Sequence, residues 1–201
     1  MPQENETEED RENILASETI HFVSGTDSTT FQSLRAQVNL EFSLLAQLKA
    51  FSKRDGRIAR VLFHPKPESS LQVMLLVHQP NVYWRPNRHV SADKTIVLID
   101  GRLLIAYFSS SGSVVDCCEL VADGLSCASI AYIPADRFHT MLAVDGPATI
   151  VEIISGTFLN NVRSREFHPL FPKVQEHPAT VSMIQDFRRS QRSAASPPSN
   201  T

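Results

Sequence analysis

The chain has 201 residues, 42% of them apolar and 20% charged, with a formal net charge of −3. That length suits one domain with a sizeable core. The balance excludes collagen-like, disulfide-dense, wholly disordered and strongly basic nucleic-acid-binding classes. No apolar run approaches the roughly 20 residues of a membrane span, and the acidic start is unlike a targeting peptide. The expectation is a soluble cytoplasmic protein with neither a membrane nor a nucleic-acid partner.

The charge sits at the ends. Residues 1–12 carry six acids and one Arg, residues 188–201 carry three Arg and no acid, and the stretch between is nearly neutral. Residues 1–30 read as a disordered acidic head, because the run lacks apolar periodicity. Residues 39–175 read as the folded domain. Residues 176–201 read as a short helix over about 180–189, with Val181, Ile184 and Phe187 on one face, followed by a disordered tail rich in Ser, Pro and Arg.

The domain begins with a helix from Asn39 to Lys53. Leu40, Leu44, Leu45, Leu48 and Phe51 recur at three- and four-residue spacing and gather on one stripe. Lys49, Lys53 and Arg54 suit the negative end of its dipole, and Gly56 ends it. Beyond Gly56 the texture changes to short Val-, Ile-, Leu- and aromatic-rich runs. Strands are predicted near 57–63, 71–78, 81–85, 94–100, 102–109, 112–120, 127–133, 139–144 and 147–154. Gly101 supplies a tight hairpin, and Ser111-Gly112 and Gly146-Pro147 supply further turns. Nine strands with little helix between them predict an antiparallel sandwich or barrel, not βαβ units.

Several routes to chemistry are closed. The chain has no Gly-rich phosphate loop, nucleophile elbow, HExxH or CxxC. Cys117, Cys118 and Cys127 read as free thiols. Tyr83, Trp84, Tyr107 and Tyr132 read as core or rim aromatics. His21, His78, His168 and His177 read as surface or loop residues, and Arg163 and Arg165 as a solvated loop face. Glu152, in the middle of the apolar run TIVEII, is costly if it faces inward without a partner, so a buried pair with Arg60 or Lys94 is expected.

The informative stretches are Arg85-Pro86-Asn87-Arg88-His89 and Pro134-Ala135-Asp136-Arg137-Phe138-His139. Residues 87 and 89 share one face of a strand. Two His at that spacing can hold one metal ion, and a nearby carboxylate and a later His would complete the set. Asn81, Asn87, His89, Lys94 and Gly101 fall at the spacing G-x5-H-x-H-x4-E-x6-G, and Pro134, Asp136 and His139 at P-x-G-x2-H. This layout resembles the cupin superfamily. Within it, RIARVLFHP, Met74, PNRH, VEIISGTF and REFHPLFP resemble the WbuC family of cupin-fold metalloproteins, over about residues 40–172. The implied fold is all-β: a double-stranded β-helix, or jelly-roll barrel, with an N-terminal helix and a short C-terminal helix.

The resemblance implies a metal held by three His and one Glu. His89 and His139 match two of the His. Asn87 stands where the third would be, and Lys94 stands where the Glu would be. Replacing a carboxylate by an ammonium changes the charge beside the cation by two units, each worth on the order of 4 kcal/mol at 4 Å and an effective dielectric of 20. Two readings stay open. One is a barrel that binds a small anionic or sugar-like metabolite with weak metal or none, using Arg60, His64, Arg85 and Lys94. The other is an enzyme with a divalent Fe, Mn or Zn ion on His89, His139 and Asn87. The resemblance also implies a homodimer.

Overall fold

The structure, a computed structural model, describes residues 20–23, 28–33, 42–80, 82, 84–122, 129–171 and 178–195. Twelve strands and three helices occur among them. The strands are β1 (Ile20–Val23), β2 (Ser28–Ser33), β3 (Ile58–Leu62), β4 (Leu71–His78), β5 (Asn87–His89), β6 (Lys94–Asp100), β7 (Arg102–Phe108), β8 (Val114–Val121), β9 (Ile130–Ile133), β10 (His139–Ala143), β11 (Ala148–Ser155) and β12 (Arg165–Phe167). The helices are α1 (Phe42–Asp55), α2 (Phe158–Ser164) and α3 (Pro178–Ala195).

The strands form two sheets. The larger runs β1-β2-β3-β4-β11-β6-β9 and the smaller β12-β5-β10-β7-β8. From β4 to β11 the chain crosses between the sheets at every step except the β7–β8 hairpin, in the orders 4-11-6-9 and 5-10-7-8. That is the order of an eight-stranded jelly roll, and the fold is of the cupin type. Gly101 does not turn the expected hairpin but passes the chain from β6 in the large sheet to β7 in the small one; its φ is +85° and its missing Cβ would come within 2.3 Å of the Pro147 carbonyl oxygen. Only Gly fits there.

Alternation along each strand divides the side chains between an inner core and two outer ones. Met74, Leu76, Ile96, Leu98, Leu103, Ile105, Leu120, Met141 and Ile150 fill the space between the sheets. On the outer face of the large sheet, Leu48 and Phe51 of α1 pack on Phe31, Ala59, Val61, Leu75 and Val77. On the outer face of the small sheet, Ile184 of α3 packs with Leu104, Ala106, Leu142 and Phe171. Each fully buried Leu or Ile contributes about 2 kcal/mol relative to exposure. Arg188 of α3 also pairs with Glu119 of β8. The middle strands are thus covered on both faces, which explains why β7 reads as a nearly continuous apolar run.

Four further expectations are corrected. The acidic head does not extend to residue 30: β1 pairs with β2 antiparallel, and β2 adds parallel to β3. The runs IHFV and TTF are β-branched and aromatic and suit a sheet; residues 1–19 lie outside the described residues. The strand expected at 81–85 is displaced to Asn87–His89, since Pro80 and Pro86 bracket the earlier run and neither can donate to a ladder. Asn81 and Tyr83 lie outside the described residues. A short helix, α2, and a strand, β12, follow β11 where no regular element was expected; Thr157 caps the helix by accepting from the Asn160 amide. Finally, His78 and His168 are buried rather than exposed. The side chains of His21 and His177 lie outside the described residues, as does Cys127.

Candidate functional site

At one end of the sandwich the inner faces turn from apolar to polar. The inward positions of β6 are Lys94, Ile96 and Leu98, and those of β11 are Ile150, Glu152 and Ile154. Glu152 lies opposite Ile96 and Lys94 opposite Ile154, so the two charged residues are diagonal neighbours on antiparallel strands. Lys94 Nζ lies 2.7 Å from Glu152 Oε1, with only 4% and 6% of the two side chains exposed. The inward-facing Glu152 thus has the buried partner that its apolar context demanded. Burial alone would raise the Glu152 pKa, but the Lys94 ammonium outweighs it and holds the carboxyl below its usual value.

Across the sandwich, β5 and β10 bring Asn87, His89 and His139 to the facing surface. His139 pairs directly with Asn87 and, on its other side, with Tyr107. All three polar residues are buried. His139 Nδ1 lies 2.9 Å from the Arg137 carbonyl, which leaves Nε2 buried with no partner. Its pKa falls to about 3, because of burial and then the Lys94 charge; that of His89 falls to about 4 for the same two reasons. His78, at the end of β4, also falls to about 4, chiefly through burial. The three imidazoles are therefore neutral at pH 7. The loop into β10 keeps the geometry of the second motif: Asp136 adopts a φ of 64° where the motif has Gly. Its amide donates to the His89 carbonyl at 2.8 Å, and its carboxylate meets Arg88 at 2.9 Å.

These walls line a pocket that is partly open to solvent. Its lining includes Arg60, Gln72, Met74, Trp84, Asn87, His89, Lys94, Glu152 and Ile154 from the strands and the approach to β5. Phe158, Asn161 and Val162 of α2 and Arg165 of β12 close one side. Arg60 reaches it from β3, with its Nε donating to Thr30 Oγ1 at 3.0 Å.

The sequence-predicted residues divide. Arg60, Asn87, His89 and Lys94 line the pocket. His64 and Arg85 do not belong to that lining. The buried His64 ring meets the Val73 carbonyl at 3.2 Å. Arg85 donates to the His168 carbonyl at 3.1 Å and stacks over Phe167. His139 is adjacent to the pocket through Asn87. Arg165 was read as part of a solvated loop, but it is a pocket residue. Its reach depends on β12 pairing with β5, where Arg165 lies opposite His89; no local pattern announces that pairing.

The donors do not fit a cupin-type divalent ion. Among the described residues no group of three or more His, Cys, Asp and Glu is placed to hold a metal. The one pocket carboxylate, Glu152, is held by Lys94, whose ammonium acts on both imidazoles. A divalent ion between those rings would meet that ammonium, at a cost on the order of 4 kcal/mol per unit of ion charge at 4 Å. Neutral imidazoles, an amide and cations instead form a surface for an anion. Arg60, Lys94 and Arg165 set three positive charges against the single negative charge of Glu152.

Parts of the chain are similar to known proteins. A family model described as a domain of unknown function, DUF6016, matches residues 40–120. No curated protein matches the chain. Among solved structures, the capsular polysaccharide assembling protein CapF from Staphylococcus aureus is 16% identical, with a TM-score of 0.42, over 54% of this chain and 28% of that one. An oxalate decarboxylase from Bacillus subtilis is 14% identical, with a TM-score of 0.43, over 55% and 27%. A sugar phosphate isomerase of the cupin superfamily from Silicibacter pomeroyi is 22% identical, with a TM-score of 0.35, over 44% and 52%. This chain thus spans about half or less of each of these three. The cupin-type fold stands on the strand order itself.

Proposed function

We propose that this protein is a divergent cupin-fold domain that binds a small anionic metabolite in the barrel without a metal ion. The observation that carries the reading is the buried Lys94–Glu152 pair in a pocket that also holds Arg60 and Arg165. The pair cancels itself, and the two guanidinium groups leave a net positive pocket. In such a partly enclosed site, charge-assisted hydrogen bonds to carboxylate or phosphate are about twice as strong as neutral ones. Met74, Trp84, Ile154 and Phe158 supply an apolar wall for a carbon skeleton.

The reading keeps the resemblance to the WbuC family and a homodimer in the cytoplasm as the working state; light scattering of the purified protein checks the homodimer. The metal-dependent alternative requires an ion on His89, His139 and Asn87, and the charge of Lys94 disfavours it. The direct test is thermal unfolding with panels of small carboxylates and phosphates. The expected result is a rise in Tm with millimolar anion that shrinks in 0.5 M salt and in the Arg165→Ala protein. No shift with any anion would overturn the reading.

A further inference from the structure

Seven buried side-chain atoms among the described residues have no hydrogen-bond partner, and three of them belong to residues that line the pocket: Gln72 Oε1, His89 Nδ1 and Arg165 Nε. Buried polar groups are usually paired, and an orphan costs about 1–3 kcal/mol. A cluster of orphans around one cavity therefore states what is missing from it.

Two of the three orphans have a fixed role. The amide nitrogen of Gln72 donates to the Ser69 carbonyl at 2.8 Å, so its oxygen is the open atom and can only accept. Arg165 Nε can only donate. His89 Nδ1 accepts or donates according to the tautomer of the ring, and a hydroxyl group, which does both, can meet it in either one. The lining thus offers one neutral acceptor, one cationic donor and one ring nitrogen.

A plain carboxylate or inorganic phosphate satisfies the arginine and leaves the Gln72 oxygen unmet. An amine supplies donors, but as an ammonium it is repelled by the cationic lining. Neutral hydroxyl groups satisfy the Gln72 oxygen and the His89 nitrogen without charge. Resting on the anion-binding reading above, we infer that the ligand is a polyhydroxylated organic acid. Its carboxylate or phosphate meets Arg165, one hydroxyl donates to Gln72, and another meets His89 Nδ1. The hydroxyls, not the charge alone, set the selectivity, because a site built to bond hydroxyls rejects the analogue that lacks them.

The test is calorimetric titration of the full chain with three probes of equal carbon number. Gluconate carries charge and hydroxyls, hexanoate charge only, and glucitol hydroxyls only. Gluconate should bind at least about tenfold more tightly than either of the others. The Gln72→Met protein, of similar side-chain volume, should lose about fivefold for gluconate and nothing for hexanoate. Hexanoate binding as tightly as gluconate would overturn the hydroxyl inference while leaving the anion reading intact. Glucitol matching gluconate would overturn the anion reading itself, as would failure of all three probes together with inorganic phosphate. Titrating gluconate 6-phosphate separates the two anionic ends: tighter binding than gluconate assigns the arginine to phosphate, and equal binding assigns it to carboxylate.

Discussion

Two buried histidine environments lie within this one jelly roll, and they differ in a single respect. His168 is fully buried in a nest of Phe108, Phe138 and Phe171, with ring centroids 6.4, 4.5 and 5.0 Å away. Both its nitrogens are used: Nε2 meets the Ser109 carbonyl at 2.9 Å, and Nδ1 accepts from the Leu170 amide at 3.3 Å. His89 and His139 are buried to a similar degree, yet each keeps one nitrogen without a partner. They face an ion pair instead of an aromatic nest. A satisfied buried histidine is scaffold. An unsatisfied one beside buried charge is a place where the protein holds polarity in reserve.

The comparison breaks first at Lys94. Replacing it by Met leaves Glu152 charged and buried without its hydrogen-bonded partner, which should cost about 3–5 kcal/mol in urea unfolding. Pairing Lys94→Met with Glu152→Leu should recover most of that loss, since two apolar residues can pack where two charges did. If Lys94→Met alone is neutral, the pair is not buried as described. At the other histidine, His168→Ala empties the aromatic nest and strands the Ser109 carbonyl. About 3 kcal/mol of stability should be lost, while the affinity for gluconate should stay unchanged. A change in that affinity would deny that the two environments have separate roles.

Acid sharpens the contrast. His78, His89 and His139 have folded pKa values lowered to about 4, about 4 and about 3, burial being the main cause of each. An unfolded histidine titrates near 6.5. Below that value the unfolded chain takes up protons that the folded chain refuses. Stability is therefore full above about pH 6.5 and falls as the pH drops through 6.5 toward 4. About 2–3 kcal/mol should be lost by pH 6 if all three titrate together. Urea midpoints at pH 8, 7 and 6 read this directly, and a flat profile would mean that the three rings are not buried neutral. The smallest effect is expected at Arg165. Arg165→Ala should weaken gluconate by about tenfold, as expected for one charged hydrogen bond, and leave the urea midpoint nearly unchanged.

Much of the fold was legible because it rests on local signals. The run of short β-branched strands, Gly101 between two apolar runs, and the leucine stripe of α1 each declare an element within about ten residues. Glu152 amid TIVEII announced a buried partner, because an isolated carboxylate among Ile and Val is too costly to leave unpaired. The site was legible only along strands. Asn87, His89 and Lys94 belong to one short stretch whose spacing places them on inner faces. Arg165 and Asn161 reach the pocket through the pairing of β12 with β5 and through a seven-residue helix. These are long-range placements with no periodicity to read, whereas Gln72 follows the alternation of β4 with Met74 and Leu76. His168 was misread for the same reason as Arg165 and Asn161: apart from Phe171, three residues on, its aromatic nest comes from β7 and the approach to β10, both distant in the chain. Arg85 looked like a ligand group from its place in the motif, but an arginine can equally tie a loop, and here it holds the His168 carbonyl.

The central claim is that a lysine–glutamate pair and the guanidinium groups beside it serve this cavity in place of a metal. The measurement that tests it most directly is the Tm of chelator-stripped protein titrated with gluconate, with and without added Fe(II), Mn(II) or Zn(II). The account predicts the same rise in Tm in the stripped protein as in the metal-supplemented one. A rise that appears only with metal, and is lost in His89→Ala and His139→Ala, would contradict it.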